Sequence, residues 1–445
     1  MKSYRELAVS GTMMVLDENK YSHLVLKEII NQTADITDRK LLTKLFEGTI
    51  ENVILIDYVI NQFSKVKTKK LKPFIRGVLR VSVYQILFMD SIPDFAVCNE
   101  AIKLVMKRKM SGLKGYCNAV LRNIARNKDN IKLPDEKKNS MDYLSIKYSM
   151  PLWIVEKFIN DYGMEKAIDI LENSHKKNIY ARINFSKADK ESVINSLKKD
   201  NINVEETYLN GALKLSGIDN MEKIDALKKG HIIIQDISSM YVTIVADIKE
   251  GDTVIDMCAA PGGKTMHILD VLNGTGKVFS RDVSDKKVKL INENIKRTGF
   301  KNAVVEKKDG MVFYKEDENM ADVVIADVPC SGLGVISKKP EIKYRLKKED
   351  IDELTSISKK IVENMVRYVK PGKTFVYSTC TITPEENVLM REWILNNFDV
   401  KPVSIIDFFD DKMKEKHKDT LKEGYIQMLP DKEHDGFFIS KFEKR

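Results

Sequence analysis

Thr253-Val254-Ile255-Asp256-Met257-Cys258-Ala259-Ala260-Pro261-Gly262-Gly263-Lys264-Thr265 is an apolar run that breaks into a turn of small residues and then opens a helical pattern over Thr265–Leu272. The spacing predicts a buried strand over Thr253–Met257, a loop, and a helix whose N-terminal amides face that loop. Apolar runs recur at Gly276–Phe279, Val304–Glu306, Ala321–Ala326 and Thr374–Tyr377, alternating with helical patterns at Asp285–Arg297, Glu349–Tyr368 and Glu385–Asn397. Strands that are apolar throughout, alternating with helices, imply a parallel α/β sheet covered on both faces. In such a sheet, ligands bind beyond the carboxyl ends of the strands. Three of those ends carry chemistry: the Cys258–Thr265 turn, Asp327-Val328-Pro329-Cys330-Ser331-Gly332, and Tyr377-Ser378-Thr379-Cys380-Thr381.

The turn admits two readings. Gly263-Lys264-Thr265 ends it as a phosphate-cradling P-loop ends, but the first glycine of that pattern falls at Cys258, where a side chain opposes the wrap. Nor is it a G-x-G-x-x-G turn. What remains is a small-residue loop at a helix N-terminus, suited to close approach by a cofactor. Asp282 follows the second strand and Asp309 the third. A carboxylate at the end of the second strand is the usual partner of ribose hydroxyls, and one after the third suits the exocyclic amine of a purine. The pair points to a nucleoside cofactor with no need of a phosphate site, a description that S-adenosylmethionine fits.

Two thiols beside such a cofactor supply a mechanism. Cytosine is too electron-poor at carbon 5 to take a methyl cation directly. A thiolate adding to carbon 6 makes carbon 5 nucleophilic toward a sulfonium methyl, after which loss of the carbon-5 proton frees the thiol. An acid such as Asp327 would assist at ring nitrogen 3, and Lys264 would favour the ionised thiol. The competing reading of any cysteine is a small buried hydrophobe, which suits Cys98 and Cys117 better than Cys330 and Cys380. On the residues alone, either of the last two could attack.

At 445 residues the chain is long enough for two or three domains, and 43% hydrophobic residues suffice for real cores. Lys+Arg exceed Asp+Glu by 74 to 65, a modest excess compatible with a phosphate-rich partner or with a solvated lysine-rich surface. Five cysteines without a Cys-x-x-Cys pair signal neither a zinc ribbon nor a disulfide framework, so no metal is expected and a reducing, cytoplasmic setting is. The N-terminus is amphipathic rather than apolar, and no run is long enough to span a bilayer.

Residues 1 to 130 are expected to be wholly helical. Leu7, Val15 and Leu16, then Leu41, Leu42, Leu45, Phe46 and Ile50, recur at helical spacing, with Thr37-Asp38-Arg39 opening the second segment and Pro73 and Pro93 preceding helices at Phe74–Met89 and Asp94–Lys109. Lys103, Lys107, Arg108, Lys109 and Lys114 share a basic face that would suit RNA or solvent alike. Residues 141–225 mix helices (Pro151–Tyr162, Met164–Asn173, Ala188–Lys199) with strands (Ile179–Ile183, Val204–Thr207, Ala212–Leu215), a small α+β layer with Lys176, Lys177, Arg182 and Lys187 at its edge. Residues 226–445 form the α/β domain, with Gly424–Met428 and Gly436–Phe442 as an antiparallel edge hairpin.

The stretches DMCAAPGGKT (256–265), DVPCSGLGVISKKPEIKYR (327–345), YSTCTITPEEN (377–387), PDKEHDGFFISKF (430–442) and GHIIIQDISS (230–239) resemble the RNA 5-methylcytosine methyltransferases of the NOL1/NOP2/Sun family. RGVLRVSVYQILFMDSIPDFAVCNEAIKL (76–104) and GYCNAVLRN (115–123) resemble a NusB-like RNA-binding domain, which marks the bacterial members acting on ribosomal RNA. The resemblance covers essentially the whole chain. It implies an all-α NusB-like domain, a small α+β middle domain and a Rossmann-like class I methyltransferase domain. It also implies that Cys258, Ala259, Ala260, Pro261, Gly262, Gly263, Lys264, Asp282, Asp309 and Asp327 contact S-adenosylmethionine or the target base. In this family the Thr-Cys cysteine attacks, here Cys380, while the Pro-Cys cysteine, here Cys330, assists release; Lys264 and Asp327 would orient the cytosine. The implied partner is 16S ribosomal RNA, naked or in an assembling small subunit, bound by a monomer, with another rRNA or tRNA as the alternative target. Lys338-Lys339 and Tyr344 stand where arginine and tryptophan are common, replacements expected to bear on RNA contacts. A P-loop NTPase and a non-enzymatic RNA-binding assembly factor are the rival classes.

Overall fold

The computed structural model describes residues 2–33 and 35–445, which pack as two compact units: the described residues up to 175 with 336–346, and residues 176–335 with 347–445. The first unit is helical, with α1 Tyr4–Leu16, α2 Ser22–Ile30, α3 Ile36–Glu51, α4 Val53–Phe63, α5 Pro73–Phe88, α6 Asp94–Lys107, α7 Lys114–Arg126, α8 Ser140–Lys147, α9 Leu152–Tyr162 and α10 Met164–Asn173. Helix α3 is capped two residues before the expected Thr37, because the Asp35 carboxylate accepts from Asp38 N (2.9 Å) and takes that role. Leu42, Leu45, Phe46 and Ile50 form its buried stripe. Each such fully buried side chain contributes about 1.5–3 kcal/mol.

The segment 336–346, downstream of Cys330, packs within this helical unit. Glu341 accepts from Ser22 N and Oγ (3.0 and 2.7 Å), and Lys343 Nζ donates to Glu51 O (2.8 Å). Tyr344 packs against the helical core and donates its hydroxyl to Ile50 O (2.7 Å). The expectation that Tyr344 bears on RNA contacts is therefore corrected: its ring and hydroxyl are committed to protein, while Lys338 and Lys339 are exposed. On the basic face, Lys103 and Lys107 are ion-paired with Glu100 (2.7 Å) and Glu6 (2.6 Å).

The second unit holds two sheets. The smaller, antiparallel throughout, has strands β1 Ile179–Ile183, β2 Asn203–Glu206, β3 Ala212–Ser216 and β4 Ile232–Ile234 in the order β2-β3-β1-β4. Both of its faces are covered. Ala181 and Ile183 point to a core with Val193 and Leu197, whereas Tyr180, Ala212 and Ile233 join the core of the larger sheet. Side chains alternate along a strand, so Arg182 shares the Tyr180 face and is buried, 4% exposed, against Asp270 (2.7 Å). It is not the edge residue expected from sequence.

The larger sheet comprises β5 Thr253–Asp256, β6 Lys277–Asp282, β7 Ala303–Lys307, β8 Ala321–Asp327, β9 Val369–Thr379, β10 Val400–Pro402, β11 Tyr425–Met428 and β12 Phe437–Lys444. Its order is β10-β12-β9-β8-β5-β6-β7, with β11 on β12. Strands β5 to β9 are mutually parallel. The chain runs outward from β5 through β6 to β7, then returns to β8 and β9 on the other side. The carboxyl end of β5 is therefore the topological switch point where such sheets form a crevice. The terminal hairpin is antiparallel and lies at the sheet edge as expected, but only its β11 is an edge strand: β12 pairs with β9 from Phe438↔Thr379 to Glu443↔Thr374 and also with β10. Its residues Phe437–Phe442 are buried, so this strand closes the core rather than decorating it.

Candidate active site

The loop after β5 is held from beneath. Met257 N donates to Ile325 O and Ala259 N to Arg281 O (2.9 Å each), fastening it to β8 and β6. Gly262 then takes φ +107°, a conformation L side chains rarely adopt, and the helix Gly263–Leu272 starts at the next residue. Asp256 is fully buried. Thr265 Oγ1 donates to its Oδ2 (2.7 Å), its Oδ1 has no protein partner, and burial raises its carboxyl to about 6. Burial also pushes the Cys258 thiol up, reinforced by Asp282, Asp256 and Asp327.

Asp282 is the last residue of β6 rather than part of a following loop. It accepts from Ala260 N (3.2 Å) and Val283 N (2.8 Å), with Lys287 Nζ at 3.1 Å. Asp309 caps its own turn, accepting from Met311 N (2.9 Å). Next to these two carboxylates in sequence, Val283, Met311 and Val312 are exposed and leave apolar surface open. Carboxylates for hydroxyl and amino groups beside open apolar surface fit the adenosine part of S-adenosylmethionine, and Asp256, Asp282 and Asp327 complement its positive charge. They oppose the P-loop reading. A triphosphate would meet three carboxylates, with Lys264 committed to Asp327 and the Thr265 hydroxyl to Asp256.

Lys264 projects from the first turn of its helix to the end of β8, where Nζ lies 2.5 Å from Asp327 Oδ2. Burial would lower this ammonium, but Asp327, Asp256 and Cys380 together outweigh burial and its pKa is raised. Asp327 Oδ1 in turn accepts from Ser378 Oγ on β9 (3.3 Å). The two thiols of greatest interest meet across the strand ends, Cys330 Sγ and Cys380 Sγ being 3.4 Å apart. The Cys330 thiol is raised well above its ordinary value, first by its hydrogen bond to Cys380, then by burial, and then by the charges of Cys380, Glu386 and Asp327. The C-terminal strand completes the enclosure. Gly436 N donates to Gly334 O (2.9 Å) and Gly334 N to Cys380 O (3.1 Å). A Cβ on Gly334 would stand 2.1 Å from Gly436 O, so only glycine permits that approach.

The structure thus brings Lys264, Asp327, Cys330 and Cys380 together and ties Asp282 to the Ala260 loop. Asp309 remains one strand farther out. Sequence reasoning missed the layer beneath the thiols. Glu386 accepts from Ser331 N (2.8 Å), Ser331 Oγ (2.5 Å) and Thr383 Oγ1 (2.5 Å), while Asn387 bridges Thr379 Oγ1 (2.6 Å) and Thr381 O (3.0 Å). These contacts keep residues 384–387 in a turn, so the following helix is Val388–Asn397 and not Glu385–Asn397. The available signal was a hydroxyl residue directly after each cysteine.

Family models match three parts of the chain: the NusB family at residues 2–126, the ferredoxin-like domain of RsmF/B-like methyltransferases at 150–221, and 16S rRNA methyltransferase RsmB/F at 243–443. The probable ribosomal RNA small subunit methyltransferase B of Bacillus subtilis is 34% identical over 100% of this chain and 99% of its own length. The ribosomal RNA small subunit methyltransferase B of Proteus mirabilis is 29% identical over 86% of this chain and 89% of its own. Among solved structures, PH0851 matches with a TM-score of 0.85 at 29% identity, covering 100% of this chain and 99% of that one. A methyltransferase homolog from Pyrococcus horikoshii matches at 0.58 and 25% identity, covering 69% of this chain and 99% of that one. With a NusB domain, a ferredoxin-like domain and a methyltransferase domain in one continuous match, the chain belongs to the RsmB/F family of 16S rRNA methyltransferases.

Proposed function

We propose that this chain methylates carbon 5 of a cytosine in 16S ribosomal RNA, using S-adenosylmethionine, through a covalent bond between Cys380 and carbon 6 of the base. The observation that carries this reading is the meeting of two thiols, 3.4 Å apart, with the Lys264–Asp327 ion pair at the switch point of the sheet. S-adenosylmethionine, when bound, supplies an electrophilic methyl group on a positively charged sulfur. Residues 258–264, Asp282 and Asp309 would hold it. Asp327 is placed to take a proton from the Lys264 ammonium, 2.5 Å away, and pass it to nitrogen 3 of the cytosine, and Lys264 helps to orient the ring. Cys380 then adds to carbon 6 as the thiolate, carbon 5 becomes nucleophilic and takes the methyl group, and a base removes the carbon-5 proton as the carbon 6–sulfur bond breaks and the Cys380 thiolate leaves. Cys330, hydrogen-bonded to Cys380, assists that release.

A base inside a helix cannot present carbon 6 to a thiol, so the target is unpaired or flipped out. The helical and ferredoxin-like domains are the candidates for holding the surrounding RNA, with an affinity that falls as salt rises. Cys380→Ala should abolish methyl transfer, and Cys330→Ala should accumulate a covalent RNA–protein adduct visible on denaturing gels. Full turnover by the Cys380 variant would sink the assignment. Mapping 5-methylcytosine in RNA with and without the protein identifies the target, and a modified tRNA or other rRNA in place of 16S would replace the substrate while keeping the chemistry.

A further inference from the structure

We propose that Glu386 is a positioning residue for the thiol chemistry: its buried carboxylate clamps the residue after Cys330 directly and the residue after Cys380 through one hydroxyl, and so holds the two sulfurs in register. The inference rests on the cysteine mechanism above. Glu386 is 1% exposed, with Ser331, Thr381 and Thr383 buried around it. One carboxylate oxygen takes the Ser331 amide and the other takes the Ser331 and Thr383 hydroxyls. Ser331 Oγ also lies 2.6 Å from Thr381 Oγ1. Because the Ser331 proton is given to Glu386, Thr381 donates to Ser331, and a directed chain runs from the β9 loop to the β8 loop. The Tyr377 hydroxyl donates to Glu386 O (2.6 Å), fixing the main chain of the clamp as well.

Two loops could be joined by neutral hydroxyls alone, and a buried carboxylate costs free energy unless fully hydrogen-bonded. The three donors offset part of that cost, although burial still holds the carboxyl above its ordinary value, and the ionised group then does something hydroxyls cannot. Placed behind Cys330, it adds to the effects that keep that thiol protonated. A protonated Cys330 can donate to Cys380 and is itself a poor nucleophile. The clamp therefore separates the roles of two otherwise similar cysteines.

The test uses the full-length chain with Glu386→Gln, which preserves shape but removes charge, and Ser331→Ala, which cuts the link between the loops. In a Cys380→Ala background, the rate of Cys330 alkylation by iodoacetamide is followed against pH by peptide mass spectrometry. Glu386→Gln should move its midpoint to lower pH by about one unit. With both cysteines present, both variants should lose kcat by about 10²-fold while keeping KM for S-adenosylmethionine within about twofold. An unshifted alkylation profile together with undiminished kcat would overturn the clamp. The alkylation needs no RNA. A shifted profile with no RNA adduct in Cys330→Ala would keep the clamp and retire the cytosine mechanism, whereas an adduct in Cys330→Ala with an unshifted profile and normal kcat would do the reverse.

Discussion

Lys264 Nζ lies 2.5 Å from Asp327 Oδ2, the ammonium carried by the helix after β5 and the carboxylate by the last residue of β8. The pair is both a strut and the proposed holder of the base, and these roles separate by mutation. Asp327→Asn leaves a largely buried ammonium without its main counter-charge and should cost about 3 kcal/mol of stability. It should also lower kcat by about 10²–10⁴-fold. The double variant Lys264→Met, Asp327→Leu should regain much of the stability and none of the activity. Chemical denaturation and methyl incorporation measured on all three proteins decide it; recovery of activity in the double variant would exclude a chemical role for the pair.

The Cys330 and Cys380 sulfurs are 3.4 Å apart and need a modest loop movement to reach the disulfide distance of about 2.05 Å. Diamide, which takes up the two electrons and two protons released, should join them and abolish activity, and dithiothreitol should restore both. Peptide mapping should place the bond between these two residues. In Cys330→Ala the Cys380 thiol should remain titratable after the same treatment. Retention of both thiols in the parent would show that the loops are too rigid to close the gap.

Asp256 supplies a pH test. Its native carboxyl titrates at about 6, above its ordinary value of 3.8, because burial penalises the charge. Between these values the native state binds more protons than the unfolded chain, so stability falls as pH rises. The contribution is full below about pH 4 and is lost through pH 6, a difference of about 3 kcal/mol. Asp256→Asn should therefore stabilise the protein relative to the parent at pH 7 and not at pH 4, by denaturant titration at both. An equal difference at the two pH values would contradict the assignment.

Much of this was legible in the chain. Apolar runs bounded by small-residue turns located β5 to β9, because a doubly covered parallel strand has little freedom in composition. The candidate site residues were proposed from their places at strand ends. Contacts that depend on pairing across the fold were not legible. β12 is as apolar as an edge hairpin packed on one face would be, and only its register with β9 makes it internal. Arg182 belongs to a strand whose second face is buried by helices more than fifty residues away in sequence, so its charge suggested a surface it does not have. Glu386 sits in a polar run that suggested the first turn of a helix, and its role emerges only when Ser331 arrives from another strand end.

Lys343 gives the last test, in the helical unit. It is 1% exposed, its Nζ donates to Glu51 O (2.8 Å), and burial lowers it to about 7 despite the opposing charge of Glu51. A lysine depressed in the native state contributes stability that is full above its ordinary value of 10.5 and lost as pH falls through 7. Between pH 9 and pH 6 the parent should therefore lose about 3 kcal/mol relative to Lys343→Met, which keeps the apolar stem and has no charge to bury. Hydrogen exchange of the α3 and α4 amides in the full-length chain reports on the surroundings of Glu51. Protection there should fall with pH in the parent beyond the intrinsic exchange trend and be flatter in the variant. Identical curves would mean that the ammonium reaches water, and that the segment 336–346 is held by Glu341 and Tyr344 without a buried ammonium.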